Sequence, residues 1–336
     1  VNFTLGPIWL IVLIKAVIVL AVVITTFAYS MLFERKIMGW MQMRPGPNRV
    51  GPWGLLQPAA DAVKMIFKED LTPDTADPLI YRIAPFISLI CAMGTFAIIP
   101  FSASPDGTLW SVGNVNAGIL FVFALTSIGV YGISLAGWAS GSKFPLLGAV
   151  RSTAQMISYE LAMSMSVIGV LLLAGSTALG AIVDAQYRLW FVVPQVVGFL
   201  IYLVTAVAET NRAPFDLVEA ETELVGGFHT EYSGLRFGLF FIAEYLNMIT
   251  VSCLATLLFF GGWNGPFGVP STGLLGLLWF LIKAGLFLFF YIWLRSTLPR
   301  FRYDRLMAFG WKVLLPVATL NLVVTAVIVA VWPTRA

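Results

Sequence analysis

The chain has 336 residues, 59% of them hydrophobic and 11% charged, with a formal net charge of +3. Soluble domains carry about 25% charged residues, so a water-soluble globular enzyme is excluded. One histidine and two cysteines, Cys91 and Cys253, both inside apolar runs and without C-x-x-C spacing, leave no expected metal cluster, disulfide framework or bis-His haem within the chain. Any electron carrier is then expected on another chain or as a small molecule, and no nucleic-acid partner is expected.

Since about 20 apolar residues cross the hydrocarbon, eight spans are expected, near 8–33, 80–101, 117–139, 153–174, 190–208, 237–261, 273–294 and 312–332. The expected fold is an all-α membrane protein: one polytopic domain over 1–336, about eight transmembrane helices, and an interfacial amphipathic helix in the first loop. The first span is too long for a signal-peptide core and lacks a basic leader, so it reads as an uncleaved helix. The loops on the charged side lie near 34–79, 140–152, 209–236 and 295–311. The first of them opens on the Gly/Pro-rich RPGPNRVGPWG (44–54). Beyond it Leu55, Leu56, Ala59, Ala62, Val63, Ile66 and Phe67 share one helical arc, with Asp61, Lys64 and Lys68 opposite. A helix of about fifteen residues is too short to span and should lie in the interface plane. Whether its apolar arc seals the bundle or serves a function is left open by the pattern.

Basic residues set the expected orientation. Arg35, Lys36, Arg44, Arg49, Lys64, Lys68 and Arg82 belong to the first loop and its edge; Lys143 and Arg151, Arg212 and Arg236, and Arg295, Arg300, Arg302, Arg305 and Lys312 belong to the next three. Only Arg188 and Arg335 lie opposite, while Lys15 and Lys283 are inside spans. The four basic loops are expected in the cytoplasm and both termini outside, in a bacterial inner (plasma) membrane. Most carboxylates share the same side. Such mixed, pairable charge is either a docking face for another protein or simply a solvated surface.

Four ionisable residues stand inside spans, where charge is costly. Lys15 is near enough to the outer end to extend toward the headgroups. At 1.5 Å per residue, Glu160 is about 13 Å past Arg151 and Glu244 about 12 Å past Arg236, so both lie within the hydrocarbon. Lys283 is a candidate counter-charge for one of them. An acid that exchanges its proton near neutral pH suits a proton relay; the alternative is a pair of static acids that stitch helices together. The stretch 209–232, ETNRAPFDLVEAETELVGGFHTEY, adds six carboxylates and the only histidine, His229. If this segment is helical, Glu219 and Glu223 face each other at i, i+4 with Glu221 beside them. Like charges at that spacing repel, so some of these groups should hold their protons more tightly than usual. With Glu209 and Glu231 they make a carboxylate string leading to Glu244 and Glu160. Pattern alone supports a proton or cation path, and a free-standing proton-coupled transporter would also use one, although no inverted repeat is evident.

Four stretches are more specific: FERKIMGWMQMRPGPNRVGPWGLLQPAADAVKMIFKED, GWASGSKFPLLGAVRSTAQMISYE, AETNRAPFDLVEAETELVGGFHTEYSGLRFGLFFIAEY and LPRFRYDRLMAFGWK. Together, and in this order, they resemble the quinone-channel membrane subunit of respiratory complex I, the proton-pumping NADH:quinone oxidoreductase; in bacteria this is the H subunit. The resemblance covers essentially the whole chain. It implies a protein that binds no cofactor and is not catalytic alone, takes quinone as substrate, and meets hydrophilic-arm subunits carrying flavin and iron–sulfur clusters. Small and antiporter-like membrane subunits are its implied neighbours. The resemblance implies a quinone tunnel at Glu34, Arg35, Arg44, Asp61, Arg300 and Arg302, with the amphipathic helix at its mouth. It implies a proton path through Glu209, Glu219, Glu221, Glu223, Glu231, Glu244 and Glu160, to which Tyr159 beside Glu160 adds a hydroxyl. Membrane-bound hydrogenase anchor subunits share the scaffold and are the nearest alternative.

Overall fold

The computed structural model describes residues 5–216, 225–266 and 271–331. Among them the chain is helical apart from turns and one isolated bridge between Ala103 and Leu109. In chain order the helices are α1 (Leu5–Met41), α2 (Gln57–Phe67), α3 (Pro78–Thr95), α4 (Gly118–Ala139), α5 (Lys143–Ala174), α6 (Leu179–Ala185), α7 (Val196–Glu209), α8 (Gly234–Phe259), α9 (Gly273–Thr297), α10 (Tyr303–Phe309) and α11 (Leu315–Val331). A π turn at Gly310–Leu314 joins α10 to α11, giving one apolar rod over Tyr303–Val331. Among the described residues seven segments have at least 18 residues and are apolar enough to cross a membrane. At 1.5 Å per residue, 18 residues reach about 27 Å, close to the hydrocarbon thickness. The chain is a multi-pass, all-α membrane protein.

The fifth crossing departs from its expected form. The run 190–208 becomes a 14-residue helix, α7, entered through turns at 191–195. Pro194 lacks an N–H, which favours a helix start over a helix interior. The broken backbone still needs donors and acceptors at membrane depth, and Gln186 supplies them. Its Oε1 accepts from the backbone N–H of Phe191 (3.2 Å) and of Gly261 (3.0 Å), and its Nε2 donates to Ile182 (3.1 Å) and Leu257 (2.7 Å). Lys283 is not a counter-charge to an acid: its ammonium donates to the carbonyls of Phe260 (2.6 Å), Gly262 (3.0 Å) and Asn264 (2.6 Å) and sits 4.6 Å from the Trp190 ring centre. Three carbonyls at the end of α8 do what a carboxylate was expected to do.

Helix α8 is the axis of the bundle, with 72% of its apolar window buried inside the chain against 6% for α1. Hydrophobic contact alone does not bind helices in lipid, so close approach and hydrogen bonds do. Gly132 of α4 lies against Ala84 and Ser88 of α3, and a side chain there would collide with both. Hydroxyl pairs join α3 to α8 (Thr95–Thr250, 3.1 Å) and α4 to α5 (Ser134–Thr153, 2.6 Å). Gln195 ties α11 to the bundle through Thr325 (2.7 Å) and Asn321 (2.9 Å). Both cysteines are buried free thiols.

The interfacial helix α2 has 11 residues rather than about fifteen. Its apolar arc does not seal the bundle. Leu55, Leu56, Val63, Ile66 and Phe67 are all exposed on the outer surface of the chain, Phe67 the most at 84%. On the other side Asp61 meets Arg35 of α1 at 2.8 Å and Met65 lies over Gly238 of α8, while Lys64 and Lys68 remain exposed. The preceding loop is held by Gly54, whose φ of +76° is left-handed and whose missing side chain leaves room for the Pro47 carbonyl.

Candidate functional site

The C-terminal ends of α1 and α9, the turn after α7 and the first half of α8 converge on a buried charge centre. Glu34, on α1, is 2% exposed. Arg212, on the turn after α7, donates from Nη1 to both of its oxygens (3.0 and 3.3 Å), and Arg295, from the end of α9, pairs with the same carboxylate. On its other side Arg212 lies 2.7 Å, through Nε, from Glu244 of α8. That contact is an ion pair by distance, with the Nε–H not directed along it. The Arg212 guanidinium also stacks 4.2 Å from the centre of the Tyr245 ring. Two carboxylates and two guanidiniums therefore balance, with Glu34 and Arg212 almost fully buried and Arg295 and Glu244 partly exposed at the edges. Burial alone would lower the pKa of Arg212; Glu244 and Glu34 more than offset it and hold the group above the usual arginine value. Arg212 is a permanent cation here.

Beside this centre lies a partly enclosed cavity of about 40 Å³, bordered by Cys91 of α3, Thr126 of α4, Glu209 at the end of α7 and Asn211 beyond it, and Glu244 and Asn247 of α8. Glu209 is 3% exposed, and its Oε2 has no protein hydrogen-bond partner. Since one water needs about 10–15 Å³ of such space, the cavity has room for a small cluster. Its wall joins two of the carboxylates singled out from sequence, Glu209 and Glu244. A third, Glu160 of α5, accepts a hydrogen bond from Ser127 of α4 and is within electrostatic reach of Glu209. Tyr159 turns elsewhere: its hydroxyl donates to the Leu306 carbonyl of α10 at 2.9 Å. The backbone carbonyl of Glu231 accepts from Tyr81 (2.7 Å). Glu219, Glu221 and Glu223 lie outside the described residues.

The expected quinone set divides. Glu34 is interior, while the Arg35–Asp61 pair stands between α1 and α2 nearer the surface, with Asp61 also accepting from Gln57 (2.9 Å). Arg44 pairs locally with Gln42 (2.8 Å). Arg302 meets Asp304 at 2.9 Å, both largely exposed. Arg300 has its Nε and Nη2 buried without hydrogen-bond partners. Between these two arginines, Phe301 donates its N–H to Pro214 (3.1 Å) and stacks on Phe215 at 5.7 Å, which ties the basic segment to the turn carrying Arg212. Sequence reasoning counted Arg212 and Arg295 only as loop charges and missed their partnership with Glu34. Their separations from it, 178 and 261 residues, carry no local signal. Among the described residues no group of three or more His, Cys, Asp or Glu could hold a metal ion.

Residues 14–326 match the model of a family described as NADH dehydrogenase. The chain is 54% identical over 333 residues to the H subunit of NADH-quinone oxidoreductase from Deinococcus deserti, with 95% of this chain and 85% of that one covered. It is 51% identical over 324 residues to the H 1 subunit from Symbiobacterium thermophilum, covering 96% and 98%, and 51% identical over 316 residues to the H 2 subunit from Geobacter sulfurreducens, covering 93% and 94%. With identity at this level along nearly its whole length, the chain belongs to the family of NADH-quinone oxidoreductase H subunits, membrane components of respiratory complex I.

Proposed function

We propose that this protein forms the quinone-access tunnel of the oxidoreductase and carries part of the carboxylate path that couples quinone reduction to proton translocation. The tunnel uses Arg35, Asp61, Arg44, Arg300 and Arg302 at its polar wall, and the exposed apolar arc of α2 meets the isoprenoid portion of the quinone at its mouth. Glu34 stands at the inner end, where its charge is felt by Arg212 and Arg295. The path runs from Glu209 through the cavity to Glu244, with Glu160 beside it, and from Glu231 and the 219–223 acids on the charged side. Hydrophilic-arm subunits bring the electrons, and neighbouring small and antiporter-like membrane subunits receive the disturbance. The termini are outside and the four charged loops face the cytoplasm. This chain holds no redox centre of its own.

The observation that carries this reading is the cavity shared by Glu209 and Glu244, because Glu244 also touches Arg212 of the charge centre. A change of charge near Glu34 therefore has a short route to an acid that borders a water-sized space. The test is Glu209→Gln and Glu244→Gln in the assembled complex. Quinone reductase turnover should drop about tenfold or more and proton pumping with it. NADH oxidation by a soluble artificial acceptor, which uses only the hydrophilic arm, should be unchanged. Wild-type turnover and pumping in both variants would remove the path.

A further inference from the structure

Building on the path reading above, we propose that Gln155 is a positioning residue of the same site, whose side-chain amide holds closed the turn that carries Glu209 and Arg212. Gln155 lies on α5, one turn before Tyr159, and is fully buried. Its Nε2 donates to the carbonyl of Ala208 and to that of Phe215, both at 3.0 Å, with a longer contact of 3.4 Å to Asn211 Oδ1. Ala208 and Phe215 bracket the segment that leaves α7. There the helix has ended and Asn211 takes a left-handed φ of +51°. Where the helix ends, the Ala208 carbonyl keeps only a 3.3 Å bond from the Asn211 N–H, and in an interior without bulk water a further donor strengthens its hold. One amide nitrogen, with two N–H groups, serves the two carbonyls at once.

The chemistry of that arrangement is specific to an amide. Two carbonyl acceptors fix which end of the Gln155 side chain is nitrogen, so Oε1 points away, buried and without a protein partner. Leucine would fill the space and donate nothing. An ionised glutamate would face both carbonyls with a negative charge, whereas a neutral glutamic acid would regain one of the two donors. Between the two fastened carbonyls lie Glu209, on the cavity wall, and Arg212, between Glu34 and Glu244. Asn211, which Gln155 also touches, borders the same cavity. Loosening the turn displaces the acid from the cavity and the cation from its two carboxylates together. Gln155 acts through these groups and touches no substrate.

The experiment compares Gln155→Leu and Gln155→Glu in the whole complex, with turnover and quinone KM followed from mildly acidic to mildly alkaline pH. For Gln155→Leu, kcat should fall about tenfold at every pH, with KM within about twofold of wild type and dye-linked NADH oxidation unchanged. Gln155→Glu should approach wild type at acid pH and lose turnover as pH rises. Wild-type kcat and pH profile in Gln155→Leu would overturn the proposal. So would Gln155→Glu showing no acid recovery, or both variants failing to assemble at every pH, which would make Gln155 a residue of the bundle core alone. Glu209→Gln and Glu244→Gln run in parallel separate the two ideas. Impaired Gln155 variants beside wild-type acid variants would sink the path and leave the fastener; the converse would sink the fastener and leave the path.

Discussion

A carboxylate 2% exposed between two guanidiniums is tolerable only while the charges balance. Glu34 faces Arg212 and Arg295, and Arg212 also faces Glu244. Removing one partner of a buried pair costs about 3–5 kcal/mol, chiefly because it leaves the other charge unpaired. Glu34→Gln keeps the shape and removes the charge, so two arginines are left with one acid. Its assembled complex should show a clearly lower thermal midpoint, and pairing it with Arg295→Met should recover part of the loss. An unchanged midpoint in the single variant would mean that solvation by water, or a counter-charge from a partner chain, compensates the loss. At the surface the arithmetic is gentler. Asp61→Asn weakens a pair in which Arg35 is 44% exposed, so stability should shift by less than about 1 kcal/mol, while the quinone KM should rise if Asp61 lines the tunnel. Unchanged kinetics with short- and long-tailed quinones would take it out of the wall. Glu160, Glu244 and Lys283 were legible one by one because a charge in an apolar run is conspicuous. The roles of Arg212 and Arg295 were not, since an arginine in a charged loop looks like any other.

At the scale of elements, the interfacial helix is fastened to the segment that follows the acidic loop. Arg236 at the start of α8 pairs with Asp70 (2.9 Å), donates to Thr72 (3.0 Å) and lies 5.3 Å from the Tyr81 ring centre. Tyr81 stacks on Tyr232 at 4.1 Å and donates to the Glu231 carbonyl, and Ser233 donates to the Glu69 carbonyl at 3.0 Å. Burial pushes the Tyr232 phenol above its ordinary range, so it remains neutral and can keep donating to Tyr81. This clasp joins the end of α2 to the far end of the acidic stretch, at Glu231, Tyr232 and Ser233. Arg236→Gln should loosen α2 at a cost of about 0.5–1 kcal/mol, given that Asp70 is partly solvated. The expected readout is a two- to fivefold higher quinone KM, with assembly intact. A KM equal to wild type would show that the contacts of α2 with α1 and with Gly238 of α8 hold it without this clasp. The amphipathic pattern of α2 was plain in the sequence, but its direction was not: periodicity says which residues share a face and nothing of which face meets the bundle.

For the molecule as a whole, buried α8 and nearly bare α1 describe a bundle with much of its surface left for lipid and neighbouring subunits. Orientation is testable with the chain's own chemistry, because Cys91 and Cys253 are buried and introduced thiols would report alone. Tyr187 is 50% exposed and Trp53 80% exposed. In whole cells a membrane-impermeant thiol reagent should label Tyr187→Cys, and it should reach Trp53→Cys only after permeabilisation. The opposite pattern would invert the proposed topology.

The class of this protein follows from its residues taken stretch by stretch. The free energy of placing apolar side chains in lipid is summed over local segments, so spans of about twenty residues, their loops and the misplaced charges within them can be read without a fold. Family membership was likewise legible from four contiguous stretches. Which groups those charges meet was decided by the packing of the helices. Packing gave Lys283 three carbonyls instead of an acid, turned the apolar arc of α2 outward, shortened the fifth crossing and let Gln186 satisfy the break. It also brought Glu34, Arg212, Glu244 and Arg295 together beside the cavity that Glu209 borders. The physical reason is range: hydrophobic partition is a local property of the chain, whereas ion pairing and hydrogen-bond satisfaction depend on which distant helices touch.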